Sequence, residues 1–159
     1  MPALAARAIE AARAAGKRLA TAESCTGGLI AASLTEVAGS SDVFDFGFVT
    51  YANEAKTALL DVKESQLAVF GAVSPQVAKA MAEGALDRAG ADLAVAVTGI
   101  AGPGGGSPQK PVGLVYLALA TRGLETEVRR LQLDGDRAAI RYETARLALE
   151  ALEARLGQP

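Results

Sequence analysis

The sequence predicts an α/β protein: a single domain over residues 1–159, layered α/β/α, around a mixed and partly parallel sheet. Three observations predict it. Helix-like segments are interleaved with short apolar runs, the pattern of strands joined by helical crossovers. The last two apolar runs are separated by one tight turn, which makes them an antiparallel pair and the sheet a mixed one. Half of the 159 residues are apolar, enough for one real core, and no linker, repeat or low-complexity stretch divides the chain.

The elements follow in order. "MPALAARAIEAARAAG" (1–16) is an Ala-rich helix framed by Pro2 and Gly16. Arg7, Glu10 and Arg13 interrupt it, so it lacks the unbroken apolar stretch of a signal peptide or membrane span. "KRLATA" (17–22) is a short strand running into "ESCTGG", whose glycines lead to a helix, "LIAASLTEVAG", ending at Gly39. "VFDFGFVTY" (43–51) alternates, and is read as a strand with Phe44, Phe46 and Phe48 on one core-facing side. "NEAKTALL" (53–60) is a short helix with Asn53 as candidate cap. The helix in "VSPQVAKAMAEGALDRAG" takes Ser74 as N-cap, Pro75 in its first turn and Gly90 beyond its end.

"DLAVAV" (92–97) is a continuous apolar run suited to a strand covered on both faces. It stops at "TGIAGPGGGSPQKP" (98–111), whose five glycines and three prolines dictate a loop at the strand's carboxyl end. "VGLVYLALA" (112–120) and "ETEVRRLQL" (125–133) form a hairpin through "TRG", the second strand polar enough for an edge. The remainder, 134–157, is a long helix capped by Asp134 or Asp136 and stopped at Gly157.

Composition removes several classes of function. Sixteen cationic against eighteen anionic side chains leave a net charge of −2, so no basic field awaits a nucleic acid. A single cysteine, Cys25, rules out an intrachain disulfide and a zinc site of several cysteines, and fits a reducing cytoplasm. The absence of histidine removes the Ser-His-Asp triad, the Cys-His pair and every histidine-ligated metal. Any acid or base must then be Lys, Asp, Glu, Tyr or Cys. Neither a metal nor a cofactor is expected, nor a membrane. Self-association through the Ala-rich first helix or an edge strand is compatible with the pattern.

Ligands of such sheets sit outside the carboxyl ends of strands, where 21–28 and 98–111 both fall. Ser24 in "TAESCTGG" is a helix cap on the first reading of the octapeptide alone, and a nucleophile on the second. Cys25 is a rival nucleophile ranked below it. Cys25, Thr26, Gly27 and Gly28 would offer free N–H groups at a helix start, able to hold an oxyanion or phosphate. A serine without histidine needs another base, and a desolvated lysine is the simplest; Lys56, just after strand 43–51, is the candidate, with a solvated helix lysine as the plainer reading. Tyr51 and Thr98 are candidate hydrogen-bonding partners. "GPGGG" lacks the lysine of a phosphate loop, so a Walker-type reading is weak. Arg137, in the first turn of the last helix, suits a phosphate or carboxylate, and Arg141, one turn on, could share that role.

Taken together and in order, "AESCTGG", "GFVTYANEAK", "GAVSPQVA", "TGIAGPGGGSPQKPVGLVY" and "GDRAAIR" resemble the CinA C-terminal domain family, the nicotinamide mononucleotide amidases, from about Leu19 to about Leu149. The stand-alone form of that domain is what the length resembles. The resemblance implies metal-free hydrolysis of the carboxamide of nicotinamide mononucleotide to nicotinic acid mononucleotide and ammonia. It implies Ser24 as nucleophile, Lys56 as base and Tyr51 as its assistant. It further implies Thr98, Gly99, Gly102 and Arg137 as substrate-binding positions, beside the Thr26–Gly28 backbone. The alternatives are a nucleotide-binding module of the same fold without chemistry, or an amidase for another pyridine carboxamide. No role is assigned to Glu23.

Overall fold

The computed structural model of the chain describes residues 1–158. Eleven helices and strands follow one another: α1 Pro2–Ala15, β1 Leu19–Glu23, α2 Leu29–Thr35, β2 Phe44–Val49, α3 Asn53–Leu60, α4 Glu64–Phe70, α5 Pro75–Ala89, β3 Leu93–Gly99, β4 Leu114–Thr121, β5 Glu127–Gln132 and α6 Arg137–Leu156. The sheet order is β2-β1-β3-β4-β5. β1 is parallel to both its neighbours, while β3, β4 and β5 are successively antiparallel.

Alternation along the strands sorts large side chains from small. Leu93, Val95 and Val97 of β3 join Leu19, Leu117 and Leu119 on the face covered by α1, α2 and α6. Ala94 and Ala96 join Ala20, Ala22, Ala118 and Ala120 on the other, under α5. Alanine stems leave room for α5 to lie close, since the distance of a helix from its neighbours follows the side chains at the contact. Further out α5 meets α3 at Gly84, where a Cβ would collide with the Leu60 carbonyl oxygen. Ser74 Oγ accepts the Val77 N–H at 3.2 Å and caps α5, and of the two candidate aspartates Asp136 caps α6 through Ala139 N–H at 2.8 Å.

Two expectations need correction, and one element has no counterpart in the sequence reading. The phenylalanines of 43–51 do not share a core face, because the β1–β2 register shifts between Leu19 and Ala20 and a bulge of this kind turns the following side chains over. Phe44 packs on the leucine and valine side, whereas Phe48 lies on the alanine side with the Phe46 ring stacked on it at 5.9 Å; Phe46 is 47% exposed on what proves to be an edge strand. The helix expected to reach Gly39 ends at Thr35, whose hydroxyl donates to the carbonyls of Ala31 and Ala32 and competes with helix propagation. A short 3-10 turn, Ser40–Asp42, follows. Finally α4 was not legible: its seven residues carry no buried side chain and hence no apolar stripe.

The order 2-1-3 sends the chain over one face to reach β2 and back over the other to reach β3, so the two crossovers part between β1 and β3. That is the topological switch point, where an open sheet leaves a crevice. The carboxyl ends of β1, β2, β3 and β5 all lie along this edge, which brings residues 24, 50–56, 98–102 and 137–141 together.

Candidate active site

The first pair to consider is Ser24 and Lys56. Ser24 leaves β1 with its N–H on the Val97 carbonyl at 3.1 Å, fixed to the neighbouring strand. Lys56 lies in α3, and its side chain runs inward until the residue is only 1% exposed. Its Nζ is 3.0 Å from Ser24 Oγ, and donates to the carbonyls of Thr50 at 2.8 Å and Tyr51 at 3.1 Å. Burial pulls the Lys56 pKa below the ordinary lysine value, against a smaller opposing effect of Cys25. A neutral amine has two protons and one lone pair. With the two protons on the two carbonyls, the lone pair is left for the Ser24 hydroxyl proton.

Around this pair is a cavity of about 270 Å³, and Tyr51, Thr98, Gly99, Gly102 and Arg137 line it with Ser24 and Lys56. Thr98 Oγ1 donates to the Ala72 carbonyl at 2.9 Å and ties the segment before α5 to the end of β3. Gly99 is held small by Val115, whose side chain a Cβ would meet at 2.6 Å. Gly102 has φ +78°, a conformation that favours glycine, and its carbonyl accepts from Arg137 at 2.9 Å. The same guanidinium donates to the Tyr51 hydroxyl at 3.0 Å. Tyr51 is 60% exposed, so it is a rim residue and not a core one.

Thr26, Gly27 and Gly28 are not brought to the cavity. The reason is Glu23. Its buried carboxylate accepts the Thr26 hydroxyl at 2.6 Å and the N–H groups of Ile30 at 2.9 Å and Ala31 at 3.0 Å. The start of α2 is therefore already occupied by an anion of the chain itself. Gly27 N–H donates to the Ser24 carbonyl, but the N–H groups of Cys25 and Thr26 donate to no acceptor among the described residues. The Cys25 thiol, buried, is pushed up to about 11 and stays protonated near neutrality.

Sequence reasoning missed two residues here. Glu23 reaches seven and eight positions along the chain, beyond the spacing of any short capping motif. Arg141, read as a partner of Arg137, instead donates to the carbonyls of Cys25 and Thr26, both at 3.1 Å. Only its long-range contacts reveal this. Among the described residues no three His, Cys, Asp or Glu side chains come together as a metal site, and no helix is long and apolar enough to cross a membrane.

Comparison with known proteins gives a consistent picture. A CinA-like protein of Akkermansia muciniphila is 57% identical over 143 residues, covering 89% of this chain and 34% of that relative. One of Geobacter sulfurreducens is 60% identical over 144 residues, covering 91% and 35%. The chain thus spans about a third of the length of these curated relatives. Among solved structures, the competence/damage inducible protein CihA of Agrobacterium tumefaciens superposes with a TM-score of 0.94 at 54% identity, covering 99% of this chain and 95% of that one. The competence damage-inducible protein A of Klebsiella pneumoniae does so with 0.94 at 43% identity, covering 99% and 97%. The CinA C-terminal domain matches residues 2–156, and the chain belongs to that family.

Proposed function

We propose that the protein is an amidase that hydrolyses nicotinamide mononucleotide to nicotinic acid mononucleotide and ammonia, with Ser24 as nucleophile and Lys56 as base. The observation that carries this reading is the buried Lys56 amine 3.0 Å from the Ser24 hydroxyl, with two backbone carbonyls to accept its protons. The choice of substrate rests on the motif resemblance to the nicotinamide mononucleotide amidases.

Neutral Lys56 takes the Ser24 proton as Oγ bonds to the carboxamide carbon. The oxyanion that forms is met by the Cys25 N–H, which no backbone carbonyl claims and whose residue lines the cavity. Collapse breaks the C–N bond, and the Lys56 ammonium gives its proton to the departing nitrogen, which leaves as ammonia. Water then adds to the acyl-enzyme, Lys56 takes a proton from it, and breakage of the C–Oγ bond returns that proton to Ser24. The balance is one water in and one ammonia out. Arg137 keeps N–H groups beyond those on Gly102 and Tyr51 for the substrate phosphate.

Ammonia release from nicotinamide mononucleotide by the purified protein tests this directly, with Ser24→Ala and Lys56→Met alongside. Release by the parent and a loss of about 10³-fold or more in both variants is expected. A parent that binds the nucleotide but releases no ammonia would replace the enzyme with a binding module.

A further inference from the structure

Arg141 is bound to the very turn that carries Ser24, yet it plays no part in the chemistry above. It stands in α6, and its Nε and one terminal nitrogen reach the carbonyls of Cys25 and Thr26, both at 3.1 Å. A charged donor on a neutral carbonyl makes a stronger hydrogen bond than a neutral pair, and two such bonds from one planar group fix orientation as well as distance. Packing is close on this side too: a Cβ on Gly27 would come within 3.3 Å of the same guanidinium. On the far side of the turn, Glu23 holds the Thr26 hydroxyl. The turn is therefore clamped between an anion and a cation that do not touch each other.

The geometry of the peptide unit gives this clamp its consequence. A trans peptide is planar, with C=O and N–H pointing in opposite directions. With the Cys25 carbonyl directed at Arg141, the Thr26 N–H points away from α6. The Ser24 carbonyl accepts the Gly27 N–H inside the turn, so the Cys25 N–H points out of it. Neither N–H donates to a backbone carbonyl, and of the two residues Cys25 lines the cavity, so its N–H is the one a bound group can reach.

We propose that Arg141 is a positioning residue: by holding the Cys25 and Thr26 carbonyls it fixes the turn so that the Cys25 N–H, beside Ser24 and at the cavity, is preset to receive an oxyanion. This rests on the amidase reading for its role in turnover, but its hold on the turn can be measured apart from turnover. It also divides the labour of two arginines one helical turn apart, since Arg137 faces the cavity and Arg141 the backbone that frames it.

The test uses Arg141→Gln and Arg141→Ala in the full chain, with Arg141→Lys as a milder variant that keeps the charge but loses the planar fork. In Arg141→Gln, kcat for nicotinamide mononucleotide should fall by about 10²-fold, the scale of loss when a reacting geometry slips by about an ångström, with KM changed by no more than about twofold. Millimolar guanidinium should restore part of the kcat of Arg141→Ala but none of that of Arg141→Lys, where the ammonium fills the space. Amide hydrogen exchange should quicken at Gly27, whose N–H closes the turn on the Ser24 carbonyl, and not in β3. Parental kcat in Arg141→Gln, or a loss confined to KM, would overturn the inference and leave the amidase reading standing. A parent without amidase activity would sink that reading instead, and unchanged exchange at Gly27 in Arg141→Gln would then overturn the inference on its own.

Discussion

Lys56 is where burial becomes chemistry. The amine is not poised by a neighbouring charge of its own sign; loss of water is the first cause of its lowered pKa. The rate should therefore rise with pH as Lys56 loses its proton, with a midpoint in kcat/KM below the ~10.4 of an ordinary lysine. The same shift has a sign for stability. Folding lowers the Lys56 pKa, so between the folded and unfolded values the unfolded chain binds more protons, and stability rises with pH across that window and falls as pH drops through it. A pH series of urea unfolding midpoints on the parent and Lys56→Met checks this, the variant losing that part of the slope. Cys25 supplies a separate control. With its thiol pushed up to about 11 and buried, the folded protein should resist iodoacetamide at pH 8 and react once unfolded. Rapid alkylation of the folded chain would return Cys25 to the contest for nucleophile.

At the scale of elements, what could be read in the sequence was whatever acts over a few neighbouring residues. Ser74-Pro75 at the head of α5, the apolar run of β3 and the glycines and prolines after it all signal locally; α5 starts where those signals place it, while β3 runs on through Thr98 and Gly99, two residues into the segment read as loop, because both pair with β4. Ser24, Lys56, Tyr51, Thr98 and Arg137 were legible as polar groups at strand ends, because strand ends are where such a sheet opens. Their distances were not legible, and neither was the bulge that turns Phe46 out or the carboxylate of Glu23 filling the start of α2. Those depend on partners far along the chain. Glu23→Ala would strand the Thr26 hydroxyl and two N–H groups, at a cost of about 1–3 kcal/mol for each buried group left unsatisfied, read as a lower thermal midpoint. Gly84→Ala tests another element contact. A Cβ there must push α3 away from α5, so stability should fall by about 1–3 kcal/mol and ammonia release should fall with it, because α3 carries Lys56.

On the scale of the whole molecule, the sheet is unequal on its two faces. Leucines and valines fill one side and alanines the other, so the cost of deleting side-chain volume should depend on the side. Leu149→Ala, at 0% exposure in the layer of α1, α2 and α6, should cost about 2–5 kcal/mol in a denaturation experiment. On the alanine side there is little to delete, and it is enlargement that hurts. Ala96→Val beneath α5 should destabilise by about 1–3 kcal/mol, and a neutral result would show that α5 is free to move outward.

The placing of Arg137 and Arg141 on α6 also bears on how the protein is made. Ser24 leaves the ribosome before Lys56, and the groups that hold Tyr51, Gly102 and the turn after Ser24 follow in α6, up to 116 positions later. That same helix supplies a large share of one core layer. A chain that stops short of α6 would carry Ser24 and Lys56 but neither arginine that frames them. On the amidase reading, the site is therefore complete only once α6 has been made and packed against the turn after Ser24.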